Sequence, residues 1–213
     1  MEQDTDLLLR YFPGLTPAQT AAFARLGELY PEWNSRINVV SRRDIGELYP
    51  RHILHSLAIA AFLGPLRAGT TFLDLGTGGG FPGIPLAIFY PGCRFLLLDR
   101  IAKKLRVASE IADAIGLRNV EFQHGDAGEC HRKFDYVVSR AVMPLDGLVK
   151  IARRNIAHGA PQPGLYPAGL VCLKGGDLDQ EIRACGCKAL RVPVADYFSE
   201  EFFETKEIVY VPL

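Results

Sequence analysis

Thr71-Phe72-Leu73-Asp74-Leu75-Gly76-Thr77-Gly78-Gly79-Gly80-Phe81-Pro82-Gly83 is the stretch that decides the fold. Its first five residues form a short run, mostly apolar, of the kind that makes a buried strand. Glycines then recur at positions 76, 78 and 80, and Pro82 is placed to open a helix. Glycine has no Cβ and tolerates positive φ, so a small ligand can lie directly against the backbone of such a loop. A second apolar run, Phe95-Leu96-Leu97-Leu98, closes on Asp99, which puts a carboxylate at the neighbouring strand tip. An acid before the glycines, Asp74, and an acid at the adjacent tip suit a ligand with a cationic amino-acid end and a ribose. S-adenosylmethionine has both.

Outward from this loop the chain alternates. Strands are expected over 71–75, 94–98, 120–123, 134–139, 169–173, 189–194 and 208–211. Helices are expected over 82–90, 102–115, 145–156 and 177–184. Continuous apolar strands separated by helices imply an α/β, Rossmann-like architecture: a mostly parallel sheet with helices on both faces. Ligands of such sheets bind beyond the carboxyl ends of the strands, where the glycine loop and Asp99 fall. Residues 16–63 read as helices, beginning at the Thr16-Pro17-Ala18-Gln19 capping signature. Within them, Trp33 to Arg43 is polar and basic with few apolar anchors. The expected organisation is a helical N-terminal extension, 1–66, packed on a methyltransferase-like core, 67–213, as one structural domain. The stretch 158–164 reads as a loop and not as a linker.

At 213 residues with 48% hydrophobic content, the chain can bury one large core. No apolar run approaches the roughly 18 residues needed to cross a bilayer, and the acidic start lacks a signal-peptide pattern. A cytoplasmic protein without a membrane partner is therefore expected. Five cysteines do not suggest a secreted disulfide framework, and Cys185-Gly186-Cys187 is too tightly spaced for a zinc or redox pair. No metal is expected. The 24 basic and 24 acidic residues cancel, which disfavours binding of naked nucleic acid, DNA included, by bulk charge. A local basic face remains compatible with RNA chemistry, and Arg36, Arg42, Arg43 and Arg51 cluster in the N-terminal region.

Gly78, Gly80 and Gly83 also satisfy G-x-G-x-x-G, which raises a nicotinamide-dependent oxidoreductase with Asp99 on the ribose. Asp74 stands where such sites carry an apolar residue, and Pro82 interrupts the pattern, so the methyl-donor reading fits better. There Asp74 organises the loop and helps hold the donor's ammonium, while backbone N–H groups approach its methionine part. Asp99 can serve as helix N-cap and ribose acceptor together, having two oxygens. Asp126-Ala127-Gly128, after the third strand, lies where an adenine ring is flanked, or is simply a turn. A catalytically silent RNA- or ribosome-binding module on the same fold is a further alternative.

The run from Asp74 to Leu86, Ser139-Arg140-Ala141 after the fourth strand and Leu173-Lys174-Gly175 after the fifth resemble the small-subunit ribosomal RNA guanine-N7 methyltransferases, also called the glucose-inhibited division protein B family. Trp33-Asn34, Ile37-Asn38 and Arg51-His52-Ile53-Leu54-His55-Ser56-Leu57 resemble that family's helical N-terminal signature. The resemblance implies S-adenosylmethionine as methyl donor and a guanine of 16S ribosomal RNA, in a structured small-subunit particle, as acceptor. It implies donor-site positions at Gly76, Phe81, Ala127, Gly128 and Arg140, beside Gly78 and Asp99 from the loop reading. Arg140, Asn38, His52 and Lys174 are the expected acceptor-side residues, with positioning roles only, because guanine N7 carries a lone pair and no proton. Two positions depart from the family pattern: His55 replaces a common aspartate, and Asp126-Ala127-Gly128 replaces arginine-alanine-glutamate.

Overall fold

The structure is a computed structural model that describes residues 2–140, 143–157 and 166–213. The loop expected at 158–164 and Ala141 of the Ser-Arg-Ala run lie outside the described residues. Three helices come first: α1 (Glu2–Tyr11), α2 (Pro17–Arg36) and α3 (His55–Leu63), the last entered through a π-helical turn at Tyr49–Leu54. Then follow β1 (Thr71–Leu75), α4 (Gly83–Phe89), β2 (Arg94–Asp99), α5 (Ala102–Ala114), β3 (Val120–His124), β4 (Tyr136–Arg140), α6 (Leu145–Asn155), β5 (Gly169–Gly175), α7 (Asp179–Cys185), β6 (Leu190–Pro193) and β7 (Lys206–Pro212).

The sheet order is β3-β2-β1-β4-β5-β7-β6. Strands β1 to β5 pair in parallel, while β7 runs antiparallel to both β5 and β6. Strand residues alternate between two faces, as the period of two requires. Phe72, Phe95, Leu97, Tyr136 and Val138 join the core beneath α2, α3, α4 and α5. Leu73, Leu75, Leu96, Leu98 and Val137 join the opposite core under α6. On the first face, Phe72 stacks on Phe95 with centroids 4.7 Å apart.

The capping box at Thr16 is formed: Gln19 N–H donates to Thr16 Oγ1 at 3.3 Å, and Thr16 N–H donates to Gln19 Oε1 at 2.9 Å. Gln19 Nε2 also donates to the carbonyls of Ile88 and Phe89, tying α2 to the end of α4. The sequence pattern breaks near Trp33, yet α2 continues through Pro31 to Arg36. Pro31 forfeits one main-chain bond but sits on the exposed side of the helix. Helix α1, which the acidic start did not announce, buries Leu8, and its Tyr11 hydroxyl donates to Glu200 at 2.9 Å, joining the two ends of the chain.

Candidate functional site

The order 3-2-1-4-5 reverses direction at β1, and a cavity of about 520 Å3 opens there beyond the strand tips. Its walls include Gly76, Gly78, Phe81, Asp99, Ile101, Ala127 and Arg140. Gly76, Gly78 and Gly80 all have positive φ, at 72°, 57° and 104°. A Cβ added at Gly78 would meet nothing within 4 Å, so this glycine leaves open space in the cavity wall. One at Gly79 would lie 2.6 Å from Val39 Cβ, so that glycine is needed for the N-terminal segment to close over the loop.

Three groups brace the loop from outside. Asp74 is fully buried, and its Oδ2 accepts from Thr77 Oγ1 at 2.5 Å and from Gly83 N–H at 2.8 Å. Burial pushes its carboxyl up to about 7, against the pull of Thr77, Gly83 and Arg140. Tyr30 of α2 donates to the Gly79 carbonyl at 2.8 Å and stacks on Phe81 with centroids 4.6 Å apart. Asp99 accepts from Gly78 N–H at 2.7 Å through Oδ2 and from Ile101 N–H at 2.8 Å through Oδ1.

These contacts alter the sequence reading in three places. Asp74 is not in the cavity lining, and its Oδ2 is engaged in shaping the loop, which places the carboxylate behind the loop and not in the cavity wall. The amides of Gly76 and Thr77 donate to the Leu98 carbonyl and that of Gly78 to Asp99, so these three N–H groups are not available to a methionine moiety. Asp99 is not the cap of α5, since Ile101 takes that position; it forms a local turn and still lines the cavity. Asp126 holds a short 3-10 turn at Ala127–Glu129 by accepting from Gly128 N–H at 2.8 Å. Asp126 and Ala127 line the cavity, whereas Gly128 serves the turn.

A second cavity, of about 490 Å3, adjoins the first through Arg140, which lines both. Its walls include Arg51, His52, His55, Lys174, Phe202 and Lys206. Arg140 ends β4, and its guanidinium donates to His52 Nδ1 at 2.9 Å and to the Arg51 carbonyl at 3.3 Å. It also lies over the Phe81 ring, 5.0 Å from the centroid. Phe81, Arg140 and His52 thus form the partition between the cavities. Burial lowers Arg140 to about 10, so it stays charged at neutral pH. Burial, then the Arg140 charge, pushes His52 down to about 3, which keeps the imidazole neutral.

The remaining acceptor-side residues fall differently. Lys174 is neither solvated nor open to a ligand on all sides: its ammonium pairs with Glu181 and donates to the Met143 carbonyl at 3.1 Å. Asn38 is exposed and outside both cavity linings. It is Asn34 that shapes this segment, accepting from Val39 and Val40 N–H at 2.8 and 2.9 Å and setting Val39 in the first cavity's wall. His55 is buried against Phe202 and Phe203, and burial holds its imidazole neutral as well. Tyr30 was legible only as an apolar-stripe position, although a buried tyrosine always raises the question of where its hydroxyl bonds. Among the described residues no group of three or more His, Cys, Asp or Glu side chains is arranged to hold a metal, and no helix is long and apolar enough to cross a membrane.

A parallel β3-β2-β1-β4-β5 core completed by an antiparallel β7, with a glycine loop after β1 and a carboxylate ending β2, defines the Rossmann-like methyltransferase fold. The magnesium protoporphyrin IX methyltransferase of Synechocystis PCC 6803 shares it, with a TM-score of 0.61 at 16% identity over 99% of this chain and 97% of that one. A methyltransferase from Aquifex aeolicus does so with a TM-score of 0.55 at 18% identity, over 81% and 98% of the two chains. Within that class the chain belongs to the rRNA small subunit methyltransferase G family, whose model matches residues 19–185. It is 54% identical to the ribosomal RNA small subunit methyltransferase G of Bacteroides fragilis YCH46 over 100% of this chain and 93% of that protein. The protein of that name from Christiangramia forsetii is 45% identical, over 98% of this chain and 97% of that protein.

Proposed function

We propose that this protein transfers the methyl group of S-adenosylmethionine to N7 of a guanine in 16S ribosomal RNA, acting in the cytoplasm on a structured small-subunit particle. The observation that carries the reading is the pair of adjoining cavities separated by Phe81, Arg140 and His52, one built like a methyl-donor site and the other basic. Membership of the family supplies the reaction.

The first cavity fits the donor. Each Asp99 oxygen accepts one amide bond and retains a lone pair for a ribose hydroxyl. Ile101 and Ala127 offer apolar walls for a purine, and the open space at Gly78 admits a ligand against the main chain. When bound, the donor supplies a methyl group already activated on a sulfonium. The chain's own task is positioning: to hold guanine N7 in line with that methyl at near-attack distance. No general base is needed, which agrees with a site where burial makes both histidines weak bases. In this reading Arg140, with Phe81 stacked beneath it, orients both ligands at the partition. His52 and Lys174 shape the acceptor side, and the helical segment 1–66 forms part of the RNA-facing surface. Ala127 flanks the adenine, with Gly128 setting the turn that presents it.

A nicotinamide-dependent oxidoreductase is not favoured, because the buried Asp74 and the antiparallel β7 depart from a dinucleotide fold. The test is methyl transfer from labelled donor to small subunits, deproteinised ribosomal RNA, transfer RNA and protein, followed by mapping of the modified base. Labelling of one guanine at N7 in small subunits is the expected outcome. Donor binding without transfer to any of these substrates would leave only a silent module.

A further inference from the structure

The second cavity is lined by the cations Arg51, Arg140, Lys174 and Lys206. Three of them have their charge or their donors engaged. Arg51 pairs with Asp44 at 2.8 Å, Lys174 pairs with Glu181, and Arg140 commits two of its five N–H donors to His52 and the Arg51 carbonyl. Lys206, like Arg140, belongs to none of the ion pairs among the described residues, and unlike Arg140 it makes no hydrogen bond there to the N-terminal helices. Its ammonium donates to Thr205 Oγ1 at 3.1 Å and stands 4.8 Å from the centroid of Phe202. Arg51 lies over the same ring at 5.4 Å.

Lys206 is also held in place. It begins β7 and pairs across the sheet with Gly175, the last residue of β5. A Cβ added at Gly175 would lie 2.9 Å from Lys206 Cδ and 3.1 Å from its Nζ, so the lysine stem lies along the glycine's bare backbone. Gly175 therefore has a physical role in this packing: any side chain there would push Lys206 off the cavity wall. A lysine ordinarily extends into water and keeps its rotamer freedom. Here it is laid into a groove, beside an arginine on one aromatic ring, with no carboxylate to neutralise it. The electron-rich ring attracts both cations but neutralises neither. An anion entering from outside would neutralise them.

We propose that Lys206 is a phosphate-binding residue of the acceptor site, its ammonium holding a phosphodiester of the RNA strand that delivers the guanine into the second cavity. This rests on the methyl-transfer reading for the identity of the anion. Lys206 begins β7, outside residues 19–185 matched by the family model. It does not line the first cavity, so donor binding is independent of it.

The test replaces the charge and keeps the stem: Lys206→Met, with Lys206→Arg as the charge-retaining control and Gly175→Ala to displace the side chain. Equilibrium binding of deproteinised small-subunit ribosomal RNA is measured from about 50 to about 200 mM salt, a range over which phosphate contacts register through counterion release. In Lys206→Met the slope of log affinity against log salt should fall by about 0.7–0.9, the loss of one phosphate contact. The KM for RNA should rise roughly tenfold while kcat and donor affinity hold. Lys206→Arg should stay near wild type, and Gly175→Ala should move toward Lys206→Met. A Lys206→Met protein that melts like wild type and keeps its salt slope and KM would overturn the proposal. Wild-type protein that binds RNA with the predicted slope change in the variant, yet methylates nothing, would instead remove the methyl-transfer reading and leave the phosphate contact standing.

Discussion

The guanidinium of Arg140 donates to Nδ1 of His52 at 2.9 Å, and because a guanidinium has no lone pair to offer, that nitrogen is the acceptor. The neutral imidazole therefore carries its proton on Nε2. One strand end of the core and one turn of the N-terminal helices are thus locked in a single electronic arrangement at the partition between the two cavities.

That arrangement has a pH signature. Burial first, then the Arg140 charge, lowers His52 from 6.5 to about 3. Between those values the unfolded chain binds a proton that the folded chain refuses. The stability contributed by this neutral group is complete above pH 6.5 and is lost as pH falls toward 3. Each pH unit inside the window costs up to about 1.4 kcal/mol. Urea melts from neutral pH downward should show a shallower decline for His52→Gln than for wild type. The slope that remains combines the depressed His55, which acts in the same direction, with Asp74, whose raised carboxyl takes up a proton on folding between 3.8 and about 7 and acts in the opposite one. Identical slopes for the two proteins would mean that His52 titrates normally.

Gly78 and Gly79 should separate ligand binding from folding. Gly78 is left-handed, at φ 57°, with open space where a side chain would begin. Gly78→Asn, a residue that tolerates this region, should fold and lose donor affinity by tenfold or more, because its side chain would occupy the cavity. Gly79→Ala would collide with Val39 at 2.6 Å and should lower the melting temperature as well. Calorimetry with S-adenosylmethionine, beside thermal melts, distinguishes the two patterns.

Much of this architecture is written locally. Strand β1 and helices α4 and α5 fall within a residue or two of their expected limits, because each is a short apolar or periodic run ended by Gly, Pro or Asp. The residues that brace the site are a different matter. Nothing local distinguishes Asn34, which organises the segment, from Asn38, which is exposed four residues later; only the reversal of the chain after α2 does. Asp74 reads as a ligand-facing acid until the approach of Gly83 and Thr77 is known. Lys174 reads as an acceptor-side cation until α7 brings Glu181 to it. These are contacts between separate elements, and sequence periodicity does not encode them.

Asp74 should tolerate loss of charge better than loss of shape. Its Oδ2 accepts from Thr77 and Gly83, while Oδ1 has no partner among the described residues. Asp74→Asn keeps an oxygen for both donors and should bind the methyl donor within a fewfold of wild type. Asp74→Ala strands the Gly83 amide in a buried position, at a cost of about 1–3 kcal/mol. Denaturant midpoints for the two variants check the ordering, and equal losses would show that charge, not acceptance, is what the loop requires.

Asp99 carries two duties that a variant pair can divide. It organises the loop through Gly78 and Ile101, and it is the acid placed for a ribose. Asp99→Asn keeps one neutral acceptor and loses the charge-assisted bonds, each worth about 1.5–3 kcal/mol. A roughly tenfold to hundredfold weakening of donor binding follows. Asp99→Ala should be weaker still and less stable. A folded Asp99→Asn with normal donor affinity would confine this residue to shaping the loop.

The basic patch of the N-terminal region is narrower than the sequence suggests. Arg36 pairs with Glu32 at 3.1 Å and Arg51 with Asp44 at 2.8 Å, whereas Arg42 and Arg43 are exposed and belong to none of the ion pairs among the described residues. With no net charge on the chain, attraction to RNA has to come from such local groups. Arg42→Ala with Arg43→Ala should therefore raise the KM for small subunits while leaving donor affinity and melting temperature unchanged, because neither residue lines the first cavity. The defect should ease at low salt, where the remaining phosphate contacts strengthen through counterion release. Initial rates at two salt concentrations, with assembled subunits and with short unstructured RNA as substrates, provide the measurement. A double variant that methylates both substrates as well as wild type at either salt would show that this segment only caps the glycine loop.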